Sequence, residues 1–439
     1  MQLKASYHTL GCKLNYSETA TIAEILERKG IERAAKDEIP DLCIVNTCSV
    51  TEAADKKARH LIRNLANRFP ESSIIVTGCY AQLKPQEVAK LPGVSIVLGS
   101  NEKLRISQYL DSWLCLQQKI VETSNLTSIK EFMPSCERGD RTRYFLKVQD
   151  GCDYFCSYCT IPYARGRSRS GKLQDIIGMA KDVANKGGKE IVLTGVNIGT
   201  FGQDTGEQFI NLLKELDNIR EIDRYRISSI EPNLLTNDIL KWISQSSRAF
   251  MPHFHIPLQS GSDKVLKLMR RRYDTKFFKE RIEQIHSMIP DAYIGVDIIA
   301  GARGETLEEW EESLEFARSL NVSKYHVFPY SERPGTMALK LDEVVPMEER
   351  RKRVALLTQL SDQKNLSFIE KNLNRKVKVL WEHSVSGNRM QGLTENYIRV
   401  EAPKIENFIN TISEVTLTGL KQNSEEIVEG IHIPKELEE

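Results

Sequence analysis

Three cysteines pose the chemical question. Cys152, Cys156 and Cys159 stand as Cys-x3-Cys-x2-Cys, directly after an apolar run and a glycine, with Tyr154, Phe155 and Tyr158 in the gaps. Three thiolates on so short a loop can hold three irons of a cubane 4Fe-4S cluster and leave the fourth iron without a protein ligand. An open iron can take a substrate or cofactor. A structural zinc site wants four ligands, usually in two paired spacings, and no fourth Cys or His lies close in sequence. The chain has nine cysteines, an odd number, and no export signal, so metal or redox chemistry suits it better than a disulfide framework.

A second trio is spread along the amino-terminal quarter. GCKLNYSE, VNTCSV and VTGCYAQ place Cys12, Cys48 and Cys79 at strand-to-helix turns, 36 and 31 residues apart. One cysteine at a strand end is commonly a small buried hydrophobe. Three at successive strand ends are brought together by a parallel fold, which predicts a second three-cysteine cluster. Asn15 and Asn46 flank these cysteines and are expected to cap turns or hydrogen-bond sulfur. Cys43, Cys115 and Cys136 lie off both patterns and read as structural.

Immediately beyond the first trio, ARGRSRSGK carries Arg165, Arg167, Arg169 and Lys172. Ser and Gly between the arginines leave guanidinium forks free to reach phosphates, so this run is expected to contact RNA. A second basic stretch, KVLKLMRRRY, holds Lys264, Lys267, Arg270, Arg271 and Arg272 among apolar residues at helical spacing. It reads equally as a solvated helix face or as a further RNA contact. His253 and His255 read as packed strand histidines.

The elements that must position these groups fall into three blocks. In the first 105 residues, the strand candidates Leu3 to Cys12, Asp41 to Cys48 and Ser73 to Cys79 each finish on a cysteine, with helical patterns between them. That is a βαβαβ pattern, so the strands should be parallel and all three cysteines should lie outside their carboxyl ends. From Tyr144 to Phe368, six strand candidates (YFLKVQDGC, KEIVLTGVNIG, RYRISSIEP, FHIPLQSG, YIGVDIIAG and KYHVFPYS) alternate with helices, as an open doubly wound sheet or a partial (β/α) barrel would. From Lys376 to about His432 short strand-like runs with turn residues indicate a small all-β module of OB-like size. The predicted divisions are 1–120, a polar linker 121–143, 144–372 and 373–439.

Composition sets the outer bounds. With 439 residues, 40% hydrophobic and 28% charged, the chain is an ordinary globular protein of two or three domains, not disordered, collagenous or membrane-spanning. Its first fifteen residues lack the apolar core of a secretory signal, which predicts a cytoplasmic location. The net charge is +1, so any nucleic-acid surface must be local. The terminal module is acidic, with seven Lys and Arg against eleven Glu from Lys376 to Glu439, and so is not a generic basic clamp.

Here the motifs resemble a known family. The Cys152 loop, at the end of the first strand of a six-unit array, is similar to the radical S-adenosylmethionine (radical-SAM) superfamily. TLGCKLN (9 to 15), NTCSV (46 to 50), TGCYAQ (77 to 82), FLKVQDGCDYFCSYCTIPYARGRSRS (145 to 170), LTGVNIG (193 to 199), HIPLQSGS (255 to 262) and YSERPGTMA (330 to 338) resemble its methylthiotransferases. GLTENYIRV (392 to 400) resembles their RNA-engaging TRAM domain.

The resemblance implies an α/β protein with a Rossmann-like parallel domain, a radical-SAM partial (β/α)6 barrel and a small β-barrel. It implies two 4Fe-4S clusters and SAM. One cluster would cleave SAM to a hydrogen-abstracting radical and the other would carry the sulfur to be inserted. Glu231, Gln259 and Asp297, at predicted strand ends, and Tyr158 are then expected to face SAM or substrate. Members act on isopentenyl-adenosine or threonylcarbamoyl-adenosine beside the tRNA anticodon, or on an aspartate of a ribosomal protein. TLGCKLN and IPYARGRSRS look most like the threonylcarbamoyl-adenosine group. An electron donor such as flavodoxin or ferredoxin and a sulfur source are implied partners. A rival of another class is a non-catalytic iron-sulfur RNA-binding protein or redox sensor, which would not turn SAM over. One departure stands out: Gly301-Ala302-Arg303-Gly304-Glu305-Thr306 replaces the usual Gly-Phe-Pro-Gly-Glu-Thr. Loss of an aromatic and a proline predicts a looser loop with a charge at the substrate mouth.

Overall fold

The structure, a computed structural model, describes residues 2–126, 129, 131–137, 142–424 and 426–432. The amino-terminal unit is a parallel sheet of β1 (Lys4–Thr9), β2 (Glu32–Arg33), β3 (Leu42–Thr47), β4 (Ser73–Gly78), β5 (Val94–Leu98) and β6 (Ile120–Glu122), in the order β2-β1-β3-β4-β5-β6. β3 is buried at every position, the pattern of a parallel strand covered on both faces. The covering helices are α1 (Lys13–Arg28), α2 (Glu52–Arg68), the short α3 (Cys79–Leu83) and α4 (Pro85–Ala89), and α5 (Ile106–Leu116). Separate apolar cores lie on the two faces: Val45, Ile62 and Val76 on one, Ile22, Ile44 and Ile96 on the other. α2 begins where the Thr51 hydroxyl accepts from Ala54 N at 3.1 Å, with Glu52 and Asp55 in the first turn, where carboxylates suit the helix dipole.

The central unit has β7 (Ser135–Glu137), β8 (Tyr144–Lys147), β9 (Gln149–Asp150), β10 (Arg169–Ser170), β11 (Glu190–Thr194), β12 (Arg224–Ile227), β13 (His253–Gln259), β14 (Tyr293–Ala300) and β15 (Lys324–Pro329). Its helices are α6 (Ile161–Arg165), α7 (Leu173–Asn185), α8 (Phe209–Asp217), α9 (Asn237–Gln245), α10 (Asp263–Leu268), α11 (Thr275–Met288), α12 (Leu307–Ser319) and α13 (Met347–Glu370). One sheet runs β12-β11-β8-β7 and another β13-β14-β15. Parallel bridges Tyr225 to Phe250 and Ser229 to His255 join them. The six parallel strands therefore follow chain order around an open barrel. Alternation decides what faces inward: Ile191, Leu193, Tyr225, Ile227, Phe254, Ile256, Ile294, Val296 and Tyr325 belong to the apolar core under the helices. Glu190, Arg226, His253, His255, Asp297 and His326 consequently point into the lumen.

The linker expected over 121–143 is not wholly irregular. β6 extends the first sheet, and β7 pairs antiparallel with β8 in the second. Residues 127, 128, 130 and 138–141 of it lie outside the described residues.

The last unit is a closed barrel of β16 (Lys376–Val385), β17 (Arg389–Thr394), β18 (Arg399–Pro403), β19 (Ile412–Leu420) and β20 (Ile427–His432). It plugs the amino-terminal end of the central barrel. Arg224 donates to Leu393 O at 2.8 Å and Lys378 O at 2.9 Å, and Arg226 to Thr394 O and Glu395 O, both at 2.8 Å. Tyr397 packs on His253 with ring centroids 4.2 Å apart and the rings tilted by 36°. The acidic bias of this unit has a partner. Glu382 pairs with Arg143 and Glu426 with Lys324, while Glu401 is buried between Arg389 and Lys421. Among the described residues no helix is long and apolar enough to cross a membrane.

Candidate active site

Register brings the amino-terminal trio together. Thr9 pairs with Asn46, Asn46 with Thr77 and Thr47 with Gly78, so β1, β3 and β4 end side by side, and Cys12, Cys48 and Cys79 follow at those ends. The backbone closes tightly there: a Cβ on Gly11 would lie 2.6 Å from Cys48 Cβ and 3.1 Å from its Sγ, and Gly11 has φ +105°. Asn15 holds the turn, donating to Leu10 O at 2.7 Å and Thr47 O at 3.1 Å, and Asn46 donates to Asn15 O at 3.0 Å. Burial, then the neighbouring Cys79 and Cys12, push the Cys48 thiol up to about 12.

The Cys152, Cys156 and Cys159 trio lies on the loop after β9. Its sulfurs are met by donors: Tyr154 N to Cys152 Sγ at 3.4 Å, Arg271 Nη1 to Cys156 Sγ at 3.2 Å, Ile161 N to Cys159 Sγ at 3.4 Å and Asn197 Nδ2 to Cys152 Sγ at 3.9 Å. Burial raises all three thiols, Cys152 to about 11 and Cys159 to about 12. A bound metal core would displace those protons, and the donors would then stabilise thiolates. Among the described residues no three His, Cys, Asp or Glu side chains are grouped as ligands of one metal ion. Both donor sets fit a wider inorganic core, each supplying three soft sulfur ligands.

A buried ion network lies between the trios. Arg165, at the end of α6, donates to Glu18 of α1 through Nη1 and Nη2, each at 3.1 Å, to Asn15 Oδ1 at 2.6 Å and to Asp150 at 3.1 Å. Lys103 and Lys147 reach Glu18 at 2.5 and 3.0 Å, and Arg169 reaches Asp150 at 3.1 Å. Two carboxylates thus face four cations. The surplus positive charge acts on Cys79, where Arg165 and Lys103 oppose the rise caused by burial. That is the sign three thiolates need.

This corrects the expectation for the arginine run. Arg165 and Arg169 are buried and spent on internal carboxylates, so neither reaches RNA. Arg167 and Lys172 are exposed, Arg167 lying 4.7 Å over the Phe155 ring. The run could be sorted only by knowing where Glu18 and Asp150 fall.

Of the expected SAM-facing residues, Glu231, Tyr158 and Asp297 lie within one another's field, since Arg271 acts on Glu231 and Tyr158, and Asp297 acts on Glu231. Glu231 is paired with Arg271, the guanidinium that also meets Cys156. Gln259 ends β13 in the left-handed region, φ +73°, beside a register shift. Asp297 is not at a strand end: it lies three residues before β14 finishes, inside the lumen, with His255 Nε2 at 2.6 Å from its Oδ1. Tyr158 packs against the small cluster of Met269, Ala302 and Tyr330. His253 is buried against Tyr293 and Tyr397, as expected of a packed histidine.

The loop with Ala302 and Arg303 is not loose. Arg303 donates to Glu332 Oε1 at 3.1 Å and Leu341 O at 3.0 Å, and Ala302 is buried. These ties replace the stiffness of the missing proline.

Two groups escaped the sequence reading. Arg333, in YSERPGTMA, donates to Ser49 Oγ at 2.7 Å and Asp55 Oδ2 at 3.0 Å, pinning the loop that follows Cys48. Lys13, next to Cys12, acts with Arg143 and Arg226 on Tyr397: burial alone would raise this phenol, but the three cations bring it to about 8. The motifs YSERPGTMA and TLGCKLN marked the two without saying what either residue touches.

With this geometry in view, the comparisons decide the family. Residues 4–99 match the uncharacterized protein family UPF0004 and residues 146–317 the radical SAM superfamily. The threonylcarbamoyladenosine tRNA methylthiotransferase MtaB of Bacillus subtilis is 37% identical over 422 residues, covering 94% of this chain and 93% of that protein. The chain belongs to the radical-SAM methylthiotransferases. MtaB of Thermotoga maritima is 36% identical over 95% of this methylthiotransferase and 94% of its own length. The tRNA-2-methylthio-N(6)-dimethylallyladenosine synthase of Desulfitobacterium hafniense is 30% identical over 93% of both. The radical SAM methyltransferase TsrM of Kitasatospora setae shares the fold, with a TM-score of 0.57 at 13% identity over 77% of this methylthiotransferase and 74% of TsrM. As in its family, this transferase works with two 4Fe-4S clusters and SAM.

Proposed function

We propose that this protein places a methylthio group on C2 of N6-threonylcarbamoyladenosine next to the anticodon of tRNA. One observation carries the reading. α3, which opens at Cys79, packs on α6, which follows Cys159, so one interface between two units carries both trios. The relatives named for threonylcarbamoyladenosine, at 34–37% identity over nearly the whole chain, support this substrate over dimethylallyladenosine, whose named relatives reach 30–32%.

Cys152, Cys156 and Cys159 would hold one cluster, and Cys12, Cys48 and Cys79 the other. When bound, these groups supply the electron that cleaves SAM and the sulfur that is inserted. The chain's own part is placement. Arg271 holds Cys156 and Glu231 together, Arg333 fixes the Cys48 loop, and the Arg165 network locks the two units at one spacing. Glu231, Gln259 and Tyr158 are proposed to meet SAM. Arg167, exposed over the Phe155 ring, and the exposed Lys172 are proposed to meet RNA phosphate, with the target base splayed from its loop. The setting is the cytoplasm, with a flavodoxin- or ferredoxin-type electron donor and a separate sulfur source.

Mass spectrometry of nucleosides from tRNA treated with the reconstituted enzyme, SAM and reductant tests this. The 2-methylthio derivative of threonylcarbamoyladenosine is expected. A product on dimethylallyladenosine alone would move the substrate, and iron and RNA binding without SAM turnover would leave a sensor.

A further inference from the structure

The lumen of the central barrel holds a cation with no counter-ion. Lys13 opens α1 directly after Cys12, and its ammonium makes no hydrogen bond or ion pair among the described residues. α1 packs on β7 and β8, with Ser17 Oγ donating to Phe145 O at 2.9 Å, so its first residue borders the barrel, and the charge of Lys13 is felt at Glu190, Arg226, Arg143 and Tyr397, and at His253 and His326. These residues come from β11, β12, β13, β15, the chain just before β8 and the loop before β18, which places Lys13 among the inward-facing side chains.

The acids nearby are otherwise engaged. Glu190 Oε1 accepts from Arg226 Nε at 2.9 Å, and its other oxygen, though without a partner, is not met by Lys13. Asp297 is taken by His255, and Glu382 by Arg143. Like charges at Arg143 and Arg226 make the position worse for a lone ammonium. His326, on which Lys13 acts, lies 4.8 Å ring to ring from His255, and solvent reaches this part of the lumen, since the His255 and Asp297 side chains keep 24% and 18% of their exposure and Lys13 and His326 are only half-buried. A cation kept inside a partly dehydrated lumen without a partner is costly unless an anion arrives.

An RNA phosphate is the wrong anion for this place, because the backbone stays outside while a splayed base enters. The remaining source is the base's own substituent. A threonylcarbamoyl arm ends in a carboxylate and a hydroxyl; a dimethylallyl arm has neither. We propose that Lys13 binds the carboxylate of the threonylcarbamoyl arm, with the His255 and Asp297 pair beside it for the hydroxyl, and so sets the choice of substrate. This rests on the threonylcarbamoyladenosine reading above.

The test uses the two-cluster protein and three anticodon stem-loops, bearing threonylcarbamoyladenosine, its methyl ester, or dimethylallyladenosine, with affinity read by fluorescence anisotropy. Wild type is expected to bind the acid about ten- to a hundredfold more tightly than the ester. Lys13→Met should bind acid and ester alike, at the ester's level, with its iron content unchanged. Lys13→Gln carries the same prediction and guards against damage to the adjoining Cys12 site, and Lys13→Arg should keep part of the preference. Retention of the acid-over-ester preference in both Lys13→Met and Lys13→Gln would overturn the role of Lys13 while leaving the substrate reading intact. A wild-type enzyme that ignores the acid and modifies only the dimethylallyl loop would overturn the substrate reading, and this proposal with it.

Discussion

Arg165 and Glu18, 147 residues apart, form a two-pronged ion pair, with Nη1 to Oε1 and Nη2 to Oε2 both at 3.1 Å. Both side chains are buried. One stands at the end of the helix that follows the Cys159 loop, the other in the helix that follows Cys12. The pair therefore sets the distance between the two thiol trios.

Breaking it should be expensive. Glu18→Gln leaves Arg165, Lys103 and Lys147 with one carboxylate fewer in a dry site, a loss of about 3–5 kcal/mol. Urea unfolding of the metal-free protein should show the midpoint fall, and Glu18→Gln combined with Arg165→Met should lose less than the two changes added. An unshifted midpoint in Glu18→Gln would mean that the network is solvated.

Anaerobic reconstitution should load about eight irons per chain, and replacing Cys12, Cys48 and Cys79 together with Ala should halve that. A wild-type value near four that the triple change leaves alone would remove the second cluster.

Cys156→Ala should abolish 5′-deoxyadenosine production, because it removes one of three cluster ligands. Arg271→Met should keep iron bound yet slow that production roughly tenfold or more, since it frees Glu231 and removes the donor to Cys156. Full-rate production in either variant contradicts the assignment of the Cys152 loop.

Stability should fall in two stages as the solution is acidified. Burial, helped by Arg226 and Lys13, holds His253 well below the ordinary histidine value of 6.5, and burial with His255 brings His326 to about 4. Below about pH 6.5 the unfolded chain takes up protons that the folded one refuses, so stability declines from there toward pH 4. The second stage belongs to Glu18 and Asp150. Cations hold both carboxyls below the usual range, so their contribution is present above pH 4.5 and disappears below it. His253→Phe should flatten the upper stage while leaving the lower one; an unchanged slope between pH 6.5 and 4 would acquit this histidine.

The terminal barrel should not come away cleanly. Deleting it from Lys376 would strip the carbonyl partners from buried Arg224 and Arg226, so truncation should unsettle the central barrel as well as any RNA contact. Arg224→Met is the milder probe: it should cost about 2–3 kcal/mol and speed proteolysis of the 371–375 connection. Proteolysis at the wild-type rate would show that this docking is marginal.

The ligand loop was legible because its chemistry is local: Cys152, Cys156 and Cys159 fall within eight residues, and spacing alone makes them a set. The strands ending near Cys12, Cys48 and Cys79 were legible for a related reason, since continuous apolar runs alternating with helical patterns admit few parallel arrangements. The fate of the charges was not. Arg165, Arg167 and Arg169 look alike in sequence, yet two are buried on carboxylates from elsewhere in the chain and one is exposed. GLTENYIRV likewise could not announce that Tyr397 would close the far end of a barrel. Burying a charge depends on where its counter-charge lies, and that distance is created only when α1, α6 and the strands between them pack. Chemistry carried by neighbouring residues belongs to the sequence, whereas the sign and placement of the field around it belong to the tertiary structure.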